Sequence, residues 1–169
     1  MKNQKSVLNY LIKNGYDLVL ESMMEFDCDL DQRDEHNITP LEESVRSSNY
    51  TAAAVLLDNG ADPFVYSSNN HPLVEEIIIS GNLKMMKVFI KHFPNILYYK
   101  ERSTGMTIMH MAVKHKIQEF VELFMEFNVS LKEKDINGFT PYDYLEFYGM
   151  DKIKEILEKH ATSSHTASP

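Results

Sequence analysis

Cysteine, glycine, basic groups and long apolar runs are all scarce in this 169-residue chain, and each shortage removes a class of explanation. The one thiol, Cys28, forms no disulfide within the chain, which fits a reducing, cytoplasmic compartment. Six scattered glycines build no glycine-rich phosphate loop. No apolar run approaches the length of a membrane-spanning helix, and the stretch at 1–15 is broken by Asn9, Lys13 and Asn14, too polar for a signal-peptide core. Seventeen Lys and Arg stand against twenty-five Asp and Glu, a net charge of −8 and a pI near 5.3. Such a chain lacks the electrostatic footprint of nonspecific phosphate-backbone binding, so neither nucleic acid nor membrane is an expected partner.

What is present is self-similarity. HNITPLEES (36–44), NNHPLVEEI (69–77), TGMTIMHMA (104–112) and NGFTPYDYL (137–145) align, and the second through fourth apolar stretches follow at 52–62, 85–95 and 120–130. The break between the two helices of each unit falls at Gly15, Ser48, Gly81, Lys116 and Gly149, at intervals of 33, 33, 35 and 33 residues. Apolar residues recur with helical spacing: Val19, Leu20, Met23 and Met24 on one face, Phe120, Val121, Leu123, Phe124 and Phe127 on another. Thr-Pro at 39–40 and 140–141 is a helix start, and Asn59-Gly60 a helix stop. A two-helix unit of this size buries its apolar faces only by stacking on neighbours.

These segments resemble the ankyrin repeat family. Its Thr-Pro-Leu-His-x-Ala signature is approached by Thr39-Pro40-Leu41-Glu42, Thr107-Ile108-Met109-His110-Met111-Ala112 and Thr140-Pro141-Tyr142-Asp143; Gly60-Ala61-Asp62 is the usual end of the second helix. Asp34…Asn37 and Asp135…Gly138 match the turn opening. The resemblance implies an all-α fold, an ankyrin-repeat solenoid of stacked helix-turn-helix units with β-turn or hairpin connections. It predicts one domain over 1–160, in units of about 1–33, 34–66, 67–101, 102–134 and 135–160, the first and last acting as caps. Residues 161–169 lack apolar anchors and read as a disordered tail.

The chain also departs from the pattern. The first unit begins directly with a helix. The third has Pro72 in place of Thr and Val74-Glu75-Glu76 where small apolar residues belong, which leaves its register open; two extra residues lie between Ile96 and Thr104; Lys116 replaces a glycine.

Chemical sites are weakly signalled. Asp27, Asp29 and Asp31 alternate as in a calcium loop, but Gln32 and Ile38 stand where an EF-hand needs Gly and Glu. His110 and His115 are five apart, the wrong spacing for a ligand pair on one helix face. In the family resembled, the signature histidine, here His110, bonds backbone between neighbouring turns. Cys28 falls where the family resembled usually has a packed Ala, which implies a small buried thiol rather than a nucleophile. Met23, Met24, Met85, Met86, Met109 and Met125 read as core packing. No catalytic residue, cofactor or metal is expected.

The family's use in protein recognition implies a non-catalytic module that binds another protein through its turn tips and first helices, as a stoichiometric inhibitor or adaptor, monomeric or in a 1:1 complex. An effector-like role in a host cell is one form of it. The projected partner-binding residues are Glu35, His36, Ile38, Arg46, His71, Met106, Lys114, His115, Phe139, Phe147 and Tyr148. Large apolar residues gather at the C-terminal end of that set, where the two readings are an anchor or packing beneath the cap. Residues 1–66 hold five basic and twelve acidic groups. That excess leaves a second reading, an immunity-type protein that neutralises a basic toxin or nuclease.

Overall fold

The computed structural model describes residues 4–155 and 157, and side chains from Val7 onward. The expected tail at 161–169 and the last residues of the fifth unit lie outside the described residues. The described part is all-helical. The α-helices are α1 (Gln4–Lys13), α2 (Asp17–Met23), α3 (Pro40–Arg46), α4 (Tyr50–Asp58), α5 (Leu73–Ile79), α6 (Leu83–His92), α7 (Ile108–Lys114), α8 (Gln118–Glu126) and α9 (Pro141–Tyr148), with residues 151–155 again helical. A 3-10 turn at Pro94–Tyr98 interrupts the alternation. Pairing between extended segments is limited, among the described residues, to two isolated bridges, Tyr66 with Pro72 and Lys100 with Thr107.

Two compact units contain these elements, Met1–Ile96 with α1 to α6 and Leu97–Pro169 with α7 to α9. In the first unit α1 packs on α2 and α3, α3 on α4, α2 on α4, and α4 on both α3 and α6. In the second, α7 packs on α8 and α9.

The same device ends every first helix. Gly15, Ser48, Gly81, Lys116 and Gly149 all have φ between 54° and 71°. The N–H of each donates three residues back, and the following N–H (Tyr16, Asn49, Asn82, Ile117, Met150) donates five residues back. This paired bonding caps the orphan carbonyls of a helix C-terminus through one left-handed residue. Ser48 and Lys116 adopt that conformation with a side chain attached, at a cost of about 1 kcal/mol each.

Helix starts are also sequence-coded. Thr39, Thr107 and Thr140 cap α3, α7 and α9 by accepting from the N–H three residues on. Asn49 and Asn82 do the same for α4 and α6. Pro72 has no hydroxyl to offer, and α5 starts without a side-chain cap. Its register is nevertheless clear: Leu73, Val74, Ile77 and Ile78 are buried, while Ile79 and Ser80 face solvent.

Met85, Met86 and Met109 lie in the core, whereas Met23, Met24 and Met125 are half-buried. Val19 departs from the expected apolar face: α2 has only two turns, it buries Leu20 alone, and Val19 is exposed. Cys28 is half-buried, its Sγ 3.6 Å from the Met23 carbonyl oxygen.

Candidate functional site

Three of the turns that precede first helices are held by single carboxylates, and the turn before α5 by Ser67, whose hydroxyl accepts from Asn69 N–H. Asp34 Oδ1 accepts from the N–H groups of His36 and Ile38, and Asp135 Oδ1 accepts from Asn137 and Phe139. Burial pushes both carboxyls up. At Asp34 the donors Ile38, Asn9 and His36 outweigh it, and at Asp135 the Tyr144 hydroxyl with Phe139 and Asn137 does so, leaving both groups below the usual Asp value of 3.8. The turn at 101–106 is one residue longer. There the longer Glu101 takes the role, accepting from the N–H and hydroxyl of both Ser103 and Thr104.

One register position of the first helices carries a polar side chain in every repeat, and at Asn9, Glu42 and His110 it links to the following turn. It is occupied by Asn9, Glu42, Glu75, His110 and Asp143, the first four of which are buried. Asn9 Nδ2 donates to the Ile38 carbonyl and to Asp34 Oδ2, at 3.1 and 2.8 Å. Glu42, 2% exposed, accepts from Ser68 N–H at 2.9 and 3.0 Å and from its hydroxyl at 2.6 Å, with Arg46 Nη1 3.6 Å away. His110 accepts at Nδ1 from Thr107 N–H and donates from Nε2 to the Phe139 carbonyl at 3.0 Å, the turn-to-turn role implied for it. This fixes the neutral tautomer. Burial lowers the imidazole pKa, against the raising effect of the Phe139 carbonyl. Asp143 is exposed and turns back, its Oδ2 accepting from the Thr140 N–H and hydroxyl at 2.7 Å each.

In the second unit the two turns also touch through backbone, Ile136 N–H donating to the Thr104 carbonyl at 2.9 Å. A Cβ on Gly105 would stand 3.0 Å from Ile136 N, so this approach needs a glycine there.

The projected binding residues do not form one class. Glu35, His36 and Arg46 are exposed on the first unit, around an open cleft of about 730 Å³ that also involves Tyr10, Lys13 and Glu43. That cleft carries both charge signs. Burial raises the Glu43 carboxyl, and Lys13 and Arg46 oppose the rise. Ile38 is a correction: it is buried, its compact side chain covered while Asn9 bonds its carbonyl and Asp34 its N–H. His71 is exposed, its Nδ1 3.7 Å from Glu75. Met106, Lys114 and His115 are half-buried in the second unit.

Phe139, Phe147 and Tyr148 come together. Phe139 is 53% exposed and Phe147 82%, so neither is tucked away, while Tyr148 is half-buried. Tyr144 joins them: its ring lies 6.1 Å from Phe139, 6.0 Å from Tyr148 and 5.8 Å from His110, and Phe147 meets Tyr148 edge-on at 5.3 Å. The Tyr144 hydroxyl donates to Asp135 Oδ2 at 2.7 Å; burial, then that bond, raise its pKa to about 12. A groove of about 560 Å³ runs among Asn137, Phe139, Asp143, Tyr144, Glu146 and Phe147. Tyr144, Asp143 and Glu146 were not projected as binding residues. The i, i+3 and i+4 neighbours of Phe147 and Asp143 on α9 are the signal that finds them.

Among the described residues no three His, Cys, Asp or Glu side chains gather as a metal site, and no helix is long and apolar enough to cross a membrane.

No protein-family model matches the chain. Curated proteins similar to it include the Arabidopsis thaliana potassium channel AKT1, 30% identical over 79 residues, which is 47% of this chain and 9% of the channel. The ADP-ribosylation factor GTPase-activating protein AGD2 of Arabidopsis thaliana is 29% identical over 85 residues, 50% of this chain and 11% of that protein. The palmitoyltransferase AKR1 of Lachancea kluyveri is 27% identical over 165 residues, 95% of this chain and 21% of the relative. The chain spans about a tenth to a fifth of the length of these relatives. The similarities are compatible with ankyrin repeats and with a protein-interaction module.

Proposed function

We propose that the chain is a single ankyrin-repeat domain that binds another protein without catalysis, occupying its partner as a stoichiometric inhibitor or adaptor in the cytoplasm. The observation that carries this reading is the pair of exposed rings, Phe139 and Phe147, beside a groove on the turn and first helix of one repeat. Large apolar rings held out to solvent by a capped helix gain most when a partner covers them, and aromatic anchors dominate interface energetics. The polar groups most suggestive of chemistry have structural work: both His110 ring nitrogens are engaged, and the Cys28 thiol points at a backbone carbonyl. Five Schellman-type helix ends at repeat spacing support the repeat assignment independently of any residue match.

Paired affinity capture tests the reading, with the wild-type chain and a Phe147→Ala/Tyr148→Ala chain as baits at low and high salt. The expected result is a protein retained at both salt concentrations by the wild type alone, binding the purified chain 1:1 by calorimetry. Retention that is equal on both baits and lost at high salt overturns the aromatic site and favours the acidic N-terminal residues as the contact.

A further inference from the structure

We infer that the groove on α9 takes an arginine side chain flanked by apolar residues, presented by a segment of the partner protein. The inference rests on the protein-binding reading above and adds the chemistry of what is bound. Its walls are the exposed Phe139 and Phe147 rings, and its polar lining comes from Asp143, Glu146 and Asn137, with no Lys or Arg among the lining residues.

Both carboxylates line the groove. The N–H and hydroxyl of Thr140 hold Asp143 ionised and both use Oδ2, so among the described residues no hydrogen bond engages Oδ1. Glu146 gives Oε1 to Lys154 Nζ at 2.7 Å and keeps Oε2. The unit's own cations show the preferred contact: Lys116 Nζ lies 5.0 Å over the Tyr148 ring and Lys154 Nζ 5.3 Å over the Tyr142 ring. Phe139 and Phe147 carry no such cation among the described residues. A guanidinium fits this vacancy better than an ammonium, since its plane stacks on a ring while its edge donates to a carboxylate. Apolar neighbours on the segment would cover the remaining ring surface.

The test uses the full chain and two fluorescein-labelled peptides, Gly-Leu-Arg-Leu-Gly and its twin with Glu for Arg, read by anisotropy and by amide NMR shifts. The Arg peptide is expected to bind roughly tenfold tighter than its twin, the two new contacts together supplying that factor. Shifts should centre on Phe139, Tyr144 and Phe147, and both Glu146→Gln and Phe147→Ala should weaken binding. Equal affinity for the two peptides, tighter binding of the Glu twin, or no measurable binding of either overturns the inference. If Phe147→Ala removes equal binding of both, the docking site stands and only the arginine falls. If Phe147→Ala changes nothing while a peptide binds elsewhere, the aromatic docking reading falls too. Two further results overturn it by naming another occupant: contacts from Phe147 to residues 158–169 without peptide, or self-association that Phe147→Ala abolishes.

Discussion

In α3, Glu42 reaches the next turn as an acceptor, for the Ser68 N–H and hydroxyl; in α7, His110 reaches it as a donor, to the Phe139 carbonyl. The two side chains occupy the same register position, yet the direction of the bond is reversed. The turns explain why. Ile136 N–H, the counterpart of Ser68 N–H, is already taken by the Thr104 carbonyl across the Gly105 approach, so His110 bonds instead to the second lone pair of the Phe139 carbonyl, which also accepts from Asp135 N–H. The His71 carbonyl accepts from Ser67 N–H just as its counterpart, the Phe139 carbonyl, accepts from Asp135 N–H, so the turns differ in the N–H: Ser68 N–H takes Glu42. At these two helices the position holds a buried polar side chain, and whether the facing turn N–H is already bonded decides its type.

Removing the link should separate the two cases most sharply at His110. It is fully buried, and His110→Ala loses the bonds to Thr107 and Phe139 and leaves a cavity under Tyr144. A loss of about 3 kcal/mol is expected, combining the lost bonds, which leave the Thr107 N–H without its His110 acceptor, with the void, and urea unfolding measures it. Glu42→Ala should cost less, about 2 kcal/mol, because Arg46 is half-exposed and rehydrates, leaving chiefly the Ser68 N–H orphaned. Equal losses would mean that packing alone, not the hydrogen bond, sets the value of this position.

Acid should bring out the same contrast. His110 has a folded pKa below its usual 6.5, so the unfolded chain takes up its proton first, and stability falls as pH drops below about 6.5. The geometry agrees: a protonated Nδ1 would face the Thr107 N–H donor to donor. His110→Gln should flatten that limb. Asp34 and Asp135 have depressed values, so their contribution is full above the usual 3.8 and is lost as pH falls through their folded pKa values. Asp34→Asn and Asp135→Asn should flatten only this lower limb. A neutral-range slope that survives His110→Gln would place the titrating group elsewhere.

How much of this was legible depended on whether backbone or side chain carried the signal. The helix breaks at 15, 48, 81, 116 and 149 were readable because spacing survives substitution, and all five are left-handed. The linking position was readable only at His110, the one residue that matches the family signature; Asn9 and Glu42 make the link with other chemistries and show up by register alone. Ile38 was misassigned for a related reason. It shares its register with Phe139, and the preceding helix bonds the carbonyl of each, yet the Ile38 side chain is buried whereas the larger benzyl group of Phe139 stays half outside, edge-on to Tyr144. The aromatic groove was half-visible, since Phe139 and Phe147 stood out while its acidic lining looked like ordinary helix surface.

The smallest effects test the left-handed breaks themselves. Glycine at position 48 or 116 relieves the steric cost of a side chain at positive φ, about 1 kcal/mol, but makes the unfolded chain more flexible. Each substitution also deletes one contact. Ser48 loses a weak 3.3 Å bond from Asn82, and Lys116 loses its place over the Tyr148 ring. The Ser48 contact is a long neutral hydrogen bond and the Lys116 contact an exposed cation–π pair, each worth about 0.5 kcal/mol. The added freedom of the unfolded chain takes back about 0.4–1 kcal/mol. Ser48→Gly and Lys116→Gly are therefore each expected to change stability by less than about 0.5 kcal/mol, read as a shift in the urea midpoint at constant slope. A gain at Ser48 with a loss at Lys116 would instead show that the cation on Tyr148 outweighs the backbone strain beneath it, making Lys116 part of the aromatic surface rather than a tolerated replacement for glycine.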